Sequence, residues 1–349
     1  MFELLIKLHR CVAQNHSATS KIRHVGFGDY VHPIFAIFFM LIVNSCSSDE
    51  MKNFPIKHPG FHGDYSVEQF SIDGGGRTIT SAVFIPRGNS SAPHPVLIAV
   101  HNFSSTSMDF AHLIHVERFL SAGIVVIVPQ AQGWIPQWRG PGITIFPSSL
   151  LPFRPKIDDV EAISKTIETA LKKYPVDIEN INIVGFSQGS TVALETARKI
   201  TSKMQMIPRR LFLVAGSAAM PLDSSLALIG VDLFSYQPGR NASQEVANFF
   251  TRERDQREVV VGIIAEKKCT EISRNSSSGV TSPNYKCQDG RSLIYIYEEF
   301  GEHAWPGQLP IYDSRITGKG STSKIDFTNF MLTEITKAPP TSIPDTDVK

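Results

Sequence analysis

The chain has 349 residues, 34 of them Lys or Arg and 33 Asp or Glu, so its formal net charge is +1. Near neutrality, with no basic stripe, no zinc-type Cys/His spacing and no phosphate-binding glycine loop, argues against nucleic acid and acidic polymers as partners. Hydrophobic residues at 42% and charged residues at 19% describe a globular protein with a substantial core.

Taken in order, the chain first presents an uncharged apolar run at residues 34–43, preceded by Lys21, Arg23 and His24. The run is short for a membrane-spanning helix and suits the h-region of an export signal. Asn44-Ser45-Cys46-Ser47-Ser48-Asp49 follows it. Apolar run, small residue, Cys and polar tether together resemble the lipobox of bacterial lipoproteins. That resemblance implies a lipid on Cys46 and a cell-envelope location, with an ordinary cleaved signal or an anchor helix as the alternatives. Residues 1–46 are therefore expected to be the signal. Residues 47–65, with Pro55, Pro59, Gly60 and Gly63, read as a tether. Residues 66–337 read as one folded domain and residues 338–349 as a frayed tail.

Residues 67–72 and 78–85 alternate with a period of two around Asp73-Gly74-Gly75-Gly76, which predicts a hairpin at a sheet edge. Residues 96–100 are continuously apolar, as in a central parallel strand buried on both faces. A helix is predicted over 108–122 with Gly123 as its stop, and residues 124–128 give the next buried strand. Residues 129–155 form a long irregular stretch that carries Trp134 and Trp138; such loops in compact domains are functional or disordered. The spacing of Val160, Ile163, Ile167 and Leu171 predicts a helix over 157–174, with Asp158 and Asp159 at its electropositive end. A strand at 181–184, a helix to residue 201 and a strand at 211–215 follow. Residues 216–258 yield no pattern. Residues 259–265 read as another buried strand, 292–297 as the last strand and 324–336 as the closing helix. This alternation predicts an α/β domain with a mostly parallel sheet and helices on both faces. Ligands of such sheets bind beyond the carboxyl ends of the strands.

Four cysteines sort under the export reading. Cys11 leaves with the signal and Cys46 is lipidated, so Cys269 and Cys287 are expected to pair. Without export, the same two read as buried thiols.

Gly185-Phe186-Ser187-Gln188-Gly189 ends the 181–184 strand and opens the next helix. A G-x-S-x-G between strand and helix is the nucleophile-elbow context; the alternative is a tight turn that merely needs small residues. A Ser hydroxyl needs a base to take its proton. Gly301-Glu302-His303-Ala304-Trp305-Pro306-Gly307 supplies His303 just after the last strand. His112 and His115 fall on a helix, His58 and His62 in the tether, and His94 ahead of a strand. Two N–H donors must meet a developing oxyanion. The expected pair is Gln188, the residue after the nucleophile, and Phe103 in the turn His101-Asn102-Phe103, with His101 supporting that turn.

These residues resemble the α/β-hydrolase serine esterases over residues 66–337. Gly-Phe-Ser-Gln-Gly is similar to the elbow of the phospholipase/carboxylesterase group. Gly-Glu-His-Ala-Trp-Pro-Gly, with Cys287-Gln288-Asp289-Gly290 before the strand, is similar to the His loop of the poly(3-hydroxybutyrate) depolymerase and feruloyl esterase-like group. The resemblance implies an α/β-hydrolase fold and ester hydrolysis through an acyl-enzyme, without metal or organic cofactor. The family turn is His-Gly, and here it is His101-Asn102; Asn tolerates left-handed backbone. The family also carries an Asp after the strand that precedes the His strand, whereas Ala265-Glu266-Lys267-Lys268-Cys269-Thr270-Glu271 has none. Glu266, at the expected strand end, is the carboxylate chosen for the triad, with Glu271 and Asp223 as alternatives.

Trp134, Trp138 and Trp305 are the expected aromatic contacts to substrate, and Trp305 has bracing of the His loop as its other role. The expected partner is a small or polymeric ester, with membrane contact only through a lipid on Cys46. The competing reading is a hydrolase-fold surface lipoprotein that binds a ligand or polymer without turnover; a peptidase of the same fold is a third.

Overall fold

The computed structural model describes residues 65–87, 93–103, 105–133, 136–140, 157–218, 230–238, 254–299, 304–307, 323 and 325–337. The expected signal, Cys46, the tether before residue 65 and the tail at 338–349 lie outside the described residues.

The alternating run at the start forms the hairpin β1 (Tyr65–Gly74) and β2 (Arg77–Pro86), with Gly74 opposite Arg77. Gly75 at the tip has φ 56°, and a Cβ there would sit 1.7 Å from the Asp158 carbonyl oxygen. The continuously apolar runs become β3 (His94–Val100), β4 (Val125–Gln130), β5 (Val176–Phe186) and β6 (Arg210–Val214). The short β7 (Ser217–Ala218) pairs with β9 (Arg254–Asp255) apart from the main sheet. β8 (Asp232–Pro238), β10 (Thr270–Ser277), β11 (Val280–Lys286) and β12 (Ser292–Glu298) complete the strands. Among the described residues the main sheet has ten strands in the order β1-β2-β4-β3-β5-β6-β8-β12-β11-β10. β4, β3, β5, β6, β8 and β12 run parallel, and an antiparallel pair closes each edge.

The helices are α1 (Ser107–Leu113), α2 (Val116–Ser121), α3 (Asp159–Lys173), α4 (Gln188–Met204), α5 (Gln256–Glu266) and α6 (Phe327–Thr336). Two apolar cores lie on opposite faces of the sheet. Along β3, Val96, Ile98 and Val100 enter the core shared with α3 and α4. Leu97 and Ala99 enter the core shared with α1, α2 and α6. A parallel strand covered on both faces has no polar side to show, which is why these runs do not alternate.

Two expectations change. The helix predicted over 108–122 is two helices, broken where His115 takes the left-handed conformation at φ 53°. Burial of Ile114 and Val116 on either side holds the break in place. Residues 259–265 belong to helix α5, not to a strand: Val260, Ile263 and Lys267 are buried while Val261 is 55% exposed, a helical period. A short apolar run fits strand or helix equally, and the strand position is taken by β8 inside the segment that showed no pattern. The segment between the cysteines folds as the β10–β11 hairpin beside β12. A disulfide joins Cys269 to Cys287 at the base of that hairpin, with an S–S distance of 2.02 Å.

Candidate active site

β3 and β5 are neighbours, with Val100 opposite Gly185, so the turns that leave their carboxyl ends meet. The chain passes from β5 into α4 within a single residue, Ser187, at φ 54° and ψ −123°. Such a conformation costs a non-glycine residue about 1–3 kcal/mol and persists only where its surroundings over-determine it. Here they do. The Ser187 N–H donates to the Val214 carbonyl at 2.8 Å. The Ser190 hydroxyl donates to the Gly185 carbonyl at 2.8 Å and accepts the Val214 N–H at 3.1 Å. Both flanking glycines are demanded by close approach. A Cβ on Gly185 would lie 2.1 Å from the Gly189 carbonyl oxygen, and one on Gly189 would lie 2.2 Å from that of Val100. The elbow therefore presses the N-terminus of α4 against the turn at 101–103.

That turn is aimed by His101, which is fully buried. Its Nδ1–H donates to the Asn102 carbonyl at 2.7 Å, while Nε2 accepts the Ala131 N–H at 3.0 Å. One ring nitrogen must donate and the other accept, so the imidazole is neutral, and burial lowers its pKa to about 4. The Asn102 carbonyl and the Phe103 N–H belong to one planar trans peptide and point in opposite directions. Holding the carbonyl thus fixes the direction of the N–H.

A strap at residues 136–140 closes this side. Trp138, also fully buried, packs on His101 with ring centroids 4.7 Å apart and donates its indole N–H to the His101 carbonyl at 2.7 Å. The Gln188 carboxamide grips the strap backbone: Oε1 accepts the Trp138 N–H at 3.1 Å and Nε2 donates to its carbonyl at 3.2 Å. Asp159 accepts the Arg139 N–H at 2.6 Å and is itself held by the Nε and Nη2 donors of Arg77. Burial raises the Asp159 pKa, against the pull of Arg77.

On the other side, Trp305 is fully buried and sits edge-on to Phe186, Phe110 and Phe327 at 5.8, 5.7 and 5.8 Å. Its indole N–H donates to the Thr328 hydroxyl at 3.0 Å. Trp138 and Trp305 were both expected to touch substrate; each is buried with its polar atom bound inside the protein, so neither offers an open face. The other expected role of Trp305, bracing of the His loop, concerns residues 301–303, which lie outside the described residues.

Of the remaining expected residues, Gln188 opens α4 directly after Ser187 and Phe103 lies in the turn after β3, while His303, Trp134 and Asp223 lie outside the described residues. Glu266 ends helix α5, exposed, rather than ending a strand. Glu271 lies on the exposed strand β10 and pairs with Arg274 at 2.7 Å. Sequence reasoning missed Glu298. It is the last residue of β12, 5% exposed, on the face that carries Ile296 and Trp305, and it accepts the Tyr236 hydroxyl at 2.6 Å. Burial and the neighbouring Glu298 raise the Tyr236 pKa. The legible signal was an acidic residue on the inward register of the strand that leads into the His loop. Among the described residues no group of His, Cys, Asp and Glu could hold a metal ion.

Residues 103–231, from the turn after β3 to the residue before β8, match the family model described as Phospholipase/Carboxylesterase. Compared with curated proteins, the sequence matches none. Among solved structures, an acetyl xylan esterase from Aspergillus awamori is similar at 12% identity, over 66% of this chain and 92% of that one, with a TM-score of 0.49. A ferulic acid esterase is similar at 16% identity, over 55% and 86% of the two chains, with a TM-score of 0.38. A dienelactone hydrolase-like promiscuous phosphotriesterase from metagenomic libraries is similar at 11% identity, over 78% and 99%, with a TM-score of 0.44. Strand order, the strand–Ser–helix elbow and the match over residues 103–231 together give this chain an α/β-hydrolase-type fold.

Proposed function

We propose that the protein hydrolyses carboxylic esters through an acyl-enzyme on Ser187. The Ser187 Oγ attacks the ester carbonyl carbon as His303 takes the hydroxyl proton. The tetrahedral oxyanion is met by the N–H groups of Phe103 and Gln188. Collapse expels the alcohol, which leaves with the proton from His303, and water then hydrolyses the acyl-enzyme by the same steps in reverse roles. The observation that carries this reading is the strained elbow, Ser187 at φ 54° between β5 and α4, pressed against a turn whose Phe103 N–H is aimed by His101. A carboxylate is needed to orient the imidazole. Glu298 fits better than Glu266, because it is buried at the carboxyl end of β12 and five residues before His303 in the sequence. Export, with Cys46 as the lipid-bearing residue, belongs to the same proposal and is supported by the apolar run at 34–43.

Purified protein is expected to turn over p-nitrophenyl acetate and to be labelled by a fluorophosphonate, with Ser187→Ala silent in both assays. Wild-type protein that shows neither turnover nor label overturns the reading and leaves a binding protein of hydrolase fold. With Glu298→Gln, kcat should fall about 100-fold or more while Glu266→Gln stays at the wild-type rate. The reverse pattern returns the acid to Glu266.

A further inference from the structure

We propose that the side-chain carboxamide of Gln188 is a positioning group for the oxyanion donors, acting through Trp138; this rests on the esterase reading above. The backbone N–H of Gln188 and its side chain serve different ends. The carboxamide occupies both the N–H and the carbonyl of Trp138, at 3.1 and 3.2 Å, as a neighbouring peptide group would in a sheet. Trp138 transmits this grip, since its buried indole N–H holds the His101 carbonyl at 2.7 Å. The next carbonyl, that of Asn102, is held by His101 Nδ1–H at 2.7 Å. Two successive peptide planes are thus gripped from their carbonyl sides, and the second carries the Phe103 N–H. The elbow residue that donates one N–H therefore also sets the aim of the other. The strap has a separate fastening at Arg139, through Asp159 and Arg77, so losing the carboxamide frees the Trp138 end while leaving the strap attached.

An oxyanion donor acts on the transition state more than on the bound ester, so misaiming it lowers kcat and spares KM. Gln188→Leu keeps the backbone N–H and the side-chain bulk. Its kcat for p-nitrophenyl acetate should fall about 10–100-fold, less than the roughly 100–1000-fold seen for a lost donor, with KM within about twofold. Trp138→Phe, which removes the indole N–H and keeps a ring, should give the same split, and the double variant should be no worse than the weaker single. Gln188→Glu sets a carboxylate oxygen against the Trp138 carbonyl at neutral pH. Protonation restores a donor there, so its kcat relative to wild type at the same pH should rise as the pH falls toward 5. A purely structural role would lower Tm and leave this ratio flat. Folded Gln188→Leu at the wild-type kcat, or losses that multiply in the double variant, overturn the proposal; if Gln188→Leu does not fold, Trp138→Phe and the Gln188→Glu ratio decide it. Wild-type protein without turnover fails the esterase reading itself, a distinct result from an active enzyme that ignores Gln188.

Discussion

On one flank of Ser187, Trp138 lies buried against His101 and gives its indole N–H to a backbone carbonyl. On the other, Trp305 lies buried among Phe110, Phe186 and Phe327, and a single hydroxyl, that of Thr328, takes its N–H. The two indoles are equally hidden, yet they do different work. The Trp138 flank is held by directional bonds that pass from Gln188 to the strap, then to His101 and the turn. The Trp305 flank is held by apolar area and edge-to-face ring contacts, which fill space and set position without aiming a particular N–H. Where a proton or an oxyanion must be met within a few tenths of an ångström, hydrogen bonds to the backbone define the angle. Where a loop must only be kept in place, aromatic packing suffices.

The largest test of this contrast is Trp305→Ala. Removing a fully buried Trp leaves a cavity between α1, α6 and the sheet, and should cost about 3–5 kcal/mol in urea unfolding. Trp138→Phe should cost clearly less, because the ring stays and only the hydrogen bond to His101 is lost. Trp305→Phe should recover most of the stability. If Trp305→Ala destabilised no more than Trp138→Phe, the division between a packed flank and an aimed flank would fail.

Much of this site was visible in the sequence, for reasons that differ residue by residue. Ser187 was legible because a strand-to-helix reversal needs small neighbours, and the structure supplies the reason in the Gly185 and Gly189 approaches. The β3, β4, β5 and β6 strands were legible because burial on both faces leaves continuous apolar runs. β8 was not, since Asp232 and Ser235 interrupt its pattern, yet Ser235 is fully buried. Missing β8 moved a strand onto 259–265 and carried Glu266 with it. The role of Trp138 was invisible for another reason: indoles in a loop read as surface aromatics until burial and hydrogen bonding are known. Nothing local in the sequence brings Gln188 to Trp138, or Tyr236 to Glu298.

His101 gives a smaller test on the aimed flank, through pH. In the unfolded chain its imidazole titrates at 6.5; burial lowers the folded value to about 4, although the Asn102 carbonyl and the Asp109 charge both oppose that shift. Between those two values the unfolded chain holds a proton that the native protein does not, so stability rises with pH across the window. The contribution is complete above pH 6.5 and is lost progressively as the pH falls toward 4, about 3 kcal/mol in all. Urea unfolding at pH 7.5 and 4.5 should therefore differ by most of that amount beyond the change seen in His101→Asn, whose side chain can still donate to the Asn102 carbonyl and does not titrate. The partners of Trp305 named above are Phe and Thr, so Trp305→Phe should keep the wild-type slope. An equal slope in wild type and His101→Asn would mean that His101 tolerates its charge where it lies. The neutral imidazole would then not be what aims the turn beside Ser187.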